Sequence, residues 1–301
     1  EWIISASNDK TLKVWKAVTD MEVHPLPGHA NQVLETKVSP DGIWMISASA
    51  DKTLKMWEVN TGRVLRTLVG HSETVNHCAV SPDGHWVVSA SDDKKLMIWE
   101  TATGRELRTL AGHTSKVRGC AVSPDGSWII SASADHTLKK WEVATGRVLR
   151  TIADAGWGGV LWCGVSPDGR WVISTSLLGS VNLWEASSGL KVHALVSPTH
   201  GKCAVSPDGK LLAGTSYNLQ NILIWDVNSR SLIRQMSAQQ GFSFTSLGID
   251  PQGKLLIAAG CAAVNANQCD QGAFQAWDVE SGQALASPVL AHTGNIQRVL
   301  F

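Results

Sequence analysis

Serine, histidine and aspartate, the residue types of a catalytic triad, recur together four times in this chain. His29, His71 and His113 each stand 22 residues before an aspartate, which is Asp51, Asp93 and Asp135 respectively, and a Ser-Ala-Ser segment precedes each aspartate. The fourth set takes His292 from one end of the chain and Asp9 from the other. Because a catalytic site is not copied around a protein, this recurrence argues against a nucleophile activated by histidine. We therefore expect no enzyme.

Other chemical signatures are absent or ambiguous. The sequence contains no Gly-x-x-x-x-Gly-Lys, His-Glu-x-x-His or Gly-x-Gly-x-x-Gly segment, so we expect no metal and no cofactor. Cys78, Cys120, Cys163 and Cys203 recur at one equivalent strand position and read as small buried hydrophobic residues. Cys261 and Cys269 flank an insertion, where they could pair, bind an ion or remain free thiols. The pattern as a whole suits a reducing cytoplasm.

Composition excludes several classes of protein. The 301 residues include 26 basic and 26 acidic ones, so the chain lacks the basic surface expected for binding to nucleic acid or to a membrane surface. Apolar residues make up 44% of the chain, which is enough to bury a core. The longest nearly apolar run, residues 255–264, reaches only about half of a membrane span. Fourteen Trp against four Phe and one Tyr indicate a short unit copied many times.

That unit is visible as a repeat of about 42 residues. Ser-Pro-Asp-Gly begins at Ser39, Ser81, Ser123, Ser166 and Ser206, and Asp-Pro-Gln-Gly begins at Asp250. A separate series of tryptophans stands at 15, 57, 99, 141, 184, 225 and 277. Between the turns lie apolar stretches of five to seven residues rich in Val, Ile, Leu and Trp, a pattern typical of four strands per repeat joined as hairpins.

These features resemble the WD repeat (WD40) family over the entire chain. Gly-His stands at 28–29, 70–71 and 112–113, Ala-His stands at 291–292, and most repeats close with Trp followed by Glu or Asp. The resemblance implies an all-β fold, a seven-bladed β-propeller with four-stranded antiparallel blades in one domain over 1–301. It also implies a hydrogen-bonded network in each regular blade. The residues that match this network are His29, Asp51 and Trp57; His71, Asp93 and Trp99; His113, Asp135 and Trp141; and His292, Asp9 and Trp15.

The ends of the chain predict how the ring closes. Counting from His292, the next Ser-Pro-Asp-Gly would begin just after Phe301, and residues 1–7 align with the segment that follows such a turn. We therefore expect a split blade made of residues 2–26 and 296–301, which leaves no open sheet edge. Because the chain begins within a repeat and without Met, we expect a domain cut from a longer polypeptide; a trimmed product is the alternative.

Three consecutive repeats are irregular. Gly156 and Leu178 occupy the His and Asp positions of the fourth unit, the fifth is two residues short, and the sixth carries about ten extra residues around 261–271. Adaptation to a partner and simple drift are both consistent with this arc. On the outermost strand, three pairs of arginines recur every 42 residues, either as a solvated edge or as a docking rim for an acidic partner: Arg63 and Arg66, Arg105 and Arg108, and Arg147 and Arg150.

The predicted partner site lies on the loop face, the side that carries the Gly-His loops and the turns that hold the aspartates. In similar proteins, partners contact the residue after the first apolar residue of the inner strand and the residue before the Asp. Together with aromatic and basic neighbours, the predicted contacts are Leu34, Asn76, Asp92, Lys116, Arg118, Trp157, Leu161, Trp162, Tyr217, Gln297 and Asn8.

The resemblance favours a non-catalytic propeller that binds a protein or peptide, including other domains of the same polypeptide. The near-identical repeats look like prokaryotic WD arrays, which often follow NACHT or NB-ARC ATPases, Toll/interleukin-receptor domains or caspase-like domains. This analogy implies a sensor or autoinhibitory domain of a cytoplasmic signalling protein, monomeric when isolated. The alternatives are a free-standing scaffold for a multiprotein assembly and, less favoured, a small-molecule binder or enzyme that uses the central channel.

Overall fold

The computed structural model describes residues 2–16, 24–26, 28–153, 158–176, 179–195, 199–216, 220–237, 242–265, 268–285 and 288–300. Over these ranges the regular structure is entirely β. The strands are β1 (Trp2–Ser7), β2 (Leu12–Lys16), β3 (His24–Leu26), β4 (Val33–Val38), β5 (Trp44–Ser49), β6 (Thr53–Glu58), β7 (Val64–Val69), β8 (Val75–Val80), β9 (Trp86–Ser91), β10 (Lys95–Glu100), β11 (Glu106–Ala111), β12 (Val117–Val122), β13 (Trp128–Ser133), β14 (Thr137–Glu142), β15 (Val148–Ala153), β16 (Val160–Val165), β17 (Trp171–Ser176), β18 (Val181–Glu185), β19 (Lys191–Leu195), β20 (Thr199–Val205), β21 (Leu211–Ser216), β22 (Asn221–Asp226), β23 (Ser231–Ser237), β24 (Ser243–Ile249), β25 (Leu255–Asn265), β26 (Gln268–Asp278), β27 (Val289–His292) and β28 (Ile296–Leu300).

The strands form seven four-stranded antiparallel sheets, which confirms the predicted seven-bladed propeller. Blades 1 to 6 are β4–β7, β8–β11, β12–β15, β16–β19, β20–β23 and β24–β27, each with its first strand innermost. The seventh is the split blade, in the order β28-β1-β2-β3. Ile4 pairs with Leu300 and Ser5 with Val299, so the two ends of the chain share one sheet as predicted.

The Ser-Pro-Asp-Gly turns fix the hairpin between the two inner strands of a blade. The Ser39 hydroxyl donates to Asp41 Oδ1 at 2.5 Å, and the Trp44 N–H donates to Ser39 Oγ at 3.0 Å. Gly42 has a φ of +71°, a left-handed conformation that glycine adopts without a steric penalty. The same tetrapeptide therefore produces the same turn in successive blades.

The hydrophobic core lies between blades rather than within them. One buried cluster combines Ile46 and Leu54 of blade 1 with Val75, Val87 and Trp99 of blade 2. Equivalent clusters lie between all the remaining pairs of neighbouring blades, including blade 6 with the split blade and the split blade with blade 1. Because each cluster needs two blades, neither blade can bury its apolar face alone.

Two arginines of the outer strands, Arg66 and Arg108, join neighbouring blades. The two Nη atoms of Arg108 donate to the backbone carbonyls of Thr145 and Ala144 in blade 3, at 3.0 and 2.8 Å. Arg66 contacts the equivalent turn of blade 2. A Cβ at Gly146 would approach Arg108 Cδ to 2.6 Å, so the glycine makes room for the arginine stem. The recurrence of these arginines reflects blade packing.

The insertion in blade 6 lengthens one hairpin and carries a disulfide. β25 and β26 have 11 residues each, and Cys261 and Cys269 are bonded to each other near the end of this hairpin. The other four cysteines are buried and form no disulfide. Of the alternatives that the sequence left open, the structure selects pairing. A disulfide is uncommon in a reducing cytosol, so this feature does not favour the cytoplasmic location expected from the pattern of cysteines.

Candidate binding site on the loop face

Each regular blade contains a buried chain of hydrogen bonds from Trp to Asp. In blade 1, Trp57 Nε1 donates to Ser47 Oγ at 2.8 Å, and Ser47 Oγ lies 2.7 Å from His29 Nε2. His29 Nδ1 lies 2.7 Å from Asp51 Oδ2. Because an ionised Asp51 only accepts, the proton resides on Nδ1 and Nε2 accepts from the Ser47 hydroxyl.

Blades 2 and 3 repeat this arrangement. In blade 2, His71 Nδ1 lies 2.7 Å from Asp93 Oδ2, and His71 Nε2 lies 2.7 Å from Ser89 Oγ. In blade 3, His113 Nδ1 lies 2.7 Å from Asp135 Oδ2, and His113 Nε2 lies 2.7 Å from Ser131 Oγ. Trp99 and Trp141 donate to the same serines at 2.9 and 2.8 Å.

The split blade carries the network across the joint between the chain ends. His292 lies 2.9 Å from Asp9 and 2.7 Å from Ser5, whereas the side chain of Trp15 lies outside the described residues. In blade 4, Trp184 Nε1 still donates to Ser174 at 2.9 Å. Gly156 and Leu178, the residues at its His and Asp positions, lie outside the described residues.

Burial makes these networks structural. Ser47, Ser89 and Ser131 are all completely buried, so no substrate can reach their hydroxyls. Burial lowers the pKa of His29, His71 and His113, and it outweighs the adjacent carboxylates, which act in the opposite direction. Burial alone would raise the pKa of Asp135, but hydrogen bonds from Thr137, Thr114 and His113 lower that pKa to about 2. Neutral imidazole beside ionised carboxylate is therefore the state at neutral pH.

The predicted contact positions on the inner strands are β-bulges. In blade 1, Val33 pairs with Ser49 and Glu35 pairs with Ala48, so the register shifts at Leu34, which is the extra residue of the bulge. The same shift occurs at Asn76, Arg118, Leu161 and Gln297. A bulge redirects the side chain of its extra residue, which explains why these positions stand out in a repeating sheet. All five are half-buried.

Three of the predicted contact residues form a polar cluster between blades 2 and 3. Asp92 Oδ1 accepts from Asn76 Nδ2 at 2.7 Å, and Asp92 Oδ2 lies 2.5 Å from Lys116 Nζ. Asn76 Nδ2 also donates to the backbone carbonyl of Val117 at 2.9 Å. The Lys116 side chain is 52% exposed, whereas that of Asp92 is 19% exposed. The carboxylate thus holds a solvent-accessible ammonium at the edge of the loop face.

Three polar side-chain atoms near the loop face, two in the split blade and one in blade 3, are buried without hydrogen-bond partners among the described residues. They are the side-chain oxygens of Asn8 and Asn295 and the Nε of Arg118. Asn8 and Asn295 are adjacent, because the Asn8 N–H donates to the Asn295 carbonyl at 3.0 Å. Buried polar groups are nearly always satisfied, so such atoms are candidates for contact with a ligand.

One predicted contact residue lies elsewhere. Trp162 is only 7% exposed and packs in the cluster between blades 4 and 5, so it is not the exposed aromatic anchor expected on the loop face. Because Leu161 is the bulged residue, Trp162 falls at the next, buried position of the strand, where its ring covers Gly164. Trp157 and Tyr217 lie outside the described residues.

The described residues contain no group of three or more His, Cys, Asp or Glu side chains placed to hold a metal ion. In the same part of the chain, no helix has the length and hydropathy needed to cross a membrane.

Comparison with known proteins identifies the repeat. A family model described as "WD domain, G-beta repeat" matches residues 1–16, 21–58, 62–100, 104–142 and 146–185, which is more than half of the chain. The match ends before blades 5 and 6, where the sequence is irregular. A search of curated proteins gives no significant match. On its sequence pattern and its seven four-stranded blades, the chain belongs to the WD40 repeat family.

Proposed function

We propose that this propeller binds a protein or peptide on its loop face and acts as the sensor or autoinhibitory domain of a larger signalling protein. WD40 propellers generally bind proteins or peptides, which supports the first part of the proposal. The observation that carries it is the set of buried, unsatisfied polar atoms of Asn8, Asn295 and Arg118 beside the bulged inner strands.

The chemistry of this surface suits an extended peptide with acidic side chains. A peptide backbone offers both N–H donors and carbonyl acceptors, which match the two asparagine oxygens and the Arg118 donor. Arg118 and the exposed Lys116 present positive charge to an acidic side chain, and Arg forms the stronger, bidentate pairs. Asp92 neutralises part of that charge, which disfavours indiscriminate binding of acidic chains.

A phage-displayed library of random peptides tests the site without a known partner. Peptides selected on the wild-type protein should be enriched in Asp and Glu. Arg118→Glu should weaken their binding about tenfold or more, because it replaces an attractive pair with a repulsive one. Arg63→Glu is a matched control, since Arg63 lies on the outer side of blade 1 with its side chain 71% exposed. Equal binding by wild type and the Arg118 variant would place the site elsewhere.

The sensor role is separable from the binding site. It is supported by the resemblance to WD arrays that accompany ATPase and effector domains, and it requires that the chain be part of a longer polypeptide. The intact mass of the endogenous protein decides between the two readings. A mass well above 32.3 kDa with an upstream ATPase or effector supports the sensor, whereas a mass close to that of this chain favours a free scaffold with several simultaneous partners.

A further inference from the structure

A cavity of about 460 Å³ lies between the inner strands of blades 1 to 6 and the split blade. Its lining includes Pro40, Ser81 and Pro82, so it extends to the Ser-Pro-Asp-Gly turns at the end of the channel opposite the loop face. Its volume is in the range typical of small-molecule sites. The predicted peptide surface on the loop face does not account for it.

The charged side chains that line this cavity are all basic. Lys37, His77 and Arg298 contribute to the wall, and no carboxylate of the described residues does. Cysteine thiols also line it, and burial raises the pKa of Cys203 to about 12 and raises that of Cys120, so they stay neutral. The cavity wall therefore carries positive charge at neutral pH.

A buried carboxylate behind the wall contacts the three basic side chains, Lys37, His77 and Arg298, and fixes them in place. Glu35 is completely buried, and its Oε1 lies 2.9 Å from Arg298 Nε and 3.5 Å from Lys37 Nζ. Its Oε2 lies 3.2 Å from His77 Nε2. The Glu35 carboxylate thus contacts three basic side chains, two of them from other blades, and orients them along the cavity wall.

Arg298 supplies the most specific feature. This residue is only 6% exposed, and its Nη1 has no hydrogen-bond partner among the described residues. Its Nε faces Glu35, so one edge of the guanidinium is committed to the ion pair while Nη1 remains available beside the cavity. A guanidinium edge next to an ammonium is the arrangement that proteins use for carboxylate and phosphate groups.

We propose that the central cavity binds a small molecule or ion through a carboxylate or phosphate group, with Arg298 and Lys37 as its direct ligands. Trp162 and the valines of the inner strands supply an apolar wall for the rest of such a molecule. This site differs from the peptide surface on the loop face, because its lining continues down the channel to the Ser-Pro-Asp-Gly turns at the opposite end.

Isothermal titration calorimetry with inorganic phosphate and with succinate, each against sodium chloride at matched ionic strength, tests the proposal. Saturable binding of one equivalent of either probe, beyond the chloride control, is the expected result. The tighter probe identifies whether the group is a phosphate or a carboxylate. Absence of saturable binding for both probes overturns the proposal.

Two variants locate the site. Lys37→Gln should weaken binding about tenfold or more, and it leaves Glu35 paired with Arg298, so the fold is retained. Lys210→Gln is the matched control, because Lys210 follows a Ser-Pro-Asp-Gly turn but its side chain is 66% exposed. Arg298→Lys keeps a cation beside Glu35 and removes the Nη1 donor. If Lys37→Gln and Lys210→Gln bind equally, the cavity is not the site, even if the Arg298 variant fails to fold.

Discussion

Replacing Ser131 with alanine tests whether the blade networks are structural. Ser131 Oγ accepts from Trp141 Nε1 at 2.8 Å and lies 2.7 Å from His113 Nε2, and the serine is completely buried. Removing this oxygen leaves one donor and one acceptor without their partner in the interior of blade 3. Ser127 offers a matched control, because it is an exposed serine in the turn that leads into the same strand.

The expected loss follows from these two orphaned groups. Each buried polar group left unsatisfied costs about 1–3 kcal/mol, so Ser131→Ala should lower the free energy of unfolding by about 2–6 kcal/mol. With 301 residues and an unfolding entropy of about 2.1 cal/mol/K per residue, this loss lowers Tm by about 3–9 °C. Ser127→Ala should change the free energy of unfolding by less than about 0.5 kcal/mol.

Equilibrium urea unfolding followed by tryptophan fluorescence measures both variants. A double-mutant cycle with Trp141→Phe adds a second test, because Trp141→Phe removes the indole N–H that Ser131→Ala would orphan. The double variant should therefore lose less than the sum of the two single losses, by about 1 kcal/mol or more. A Ser131 variant as stable as the Ser127 variant, or strictly additive losses, would refute the network as a source of stability.

Three further perturbations have defined outcomes. Burial lowers the pKa of His29, His71 and His113, so the unfolded chain binds more protons than the folded one below about pH 6.5. The free energy of unfolding is therefore highest above that pH, and it falls by up to about 1.4 kcal/mol per pH unit for each histidine as the solution is acidified. A urea midpoint that stays constant from about pH 8 to 5 would contradict this. Deleting 291–301 removes β28 and exposes the edge of β1, so the truncated protein should aggregate. A monodisperse product with an unchanged melting temperature would show that the ring does not need this closure. Thiol titration of the denatured, unreduced protein should detect four of the six cysteines, since Cys261 and Cys269 are bonded to each other. Replacing both with serine should lower the free energy of unfolding by about 2–3 kcal/mol. Six titratable thiols would contradict the pairing.

The fold was predictable because every level of the sequence repeats with one period. Turn chemistry at Ser-Pro-Asp-Gly, alternation in the strands and the closing tryptophans all specify the same four-stranded unit. The split blade followed from counting within that period. Closure through β28 and β1 required no information beyond the position of each end of the chain within the repeat.

The details of the site were less predictable, because they depend on contacts between blades. Trp162 was itself a predicted contact residue, and only the bulge at Leu161 shows that its ring is buried. The triad of Glu35, His77 and Arg298 joins three blades from positions 35, 77 and 298, and no local motif marks it. The available signal was that three adjacent blades carry Arg298, Glu35 and His77 at one equivalent inner-strand position.

The split blade also has a consequence for synthesis on the ribosome. Ser5 and His292 share a hydrogen bond across 287 residues of sequence, so β1 to β3 emerge long before their inner partner strand. At about 5–20 residues per second, that interval lasts roughly 15–60 s. During this time the edge of β1 that pairs with β28 stays open and Ile3 lacks its partners in blade 6, although Ile4 and Ala6 can already pack against blade 1. Premature termination, a slow codon cluster late in the message or a shortage of chaperones would therefore harm this protein mainly through its first three strands.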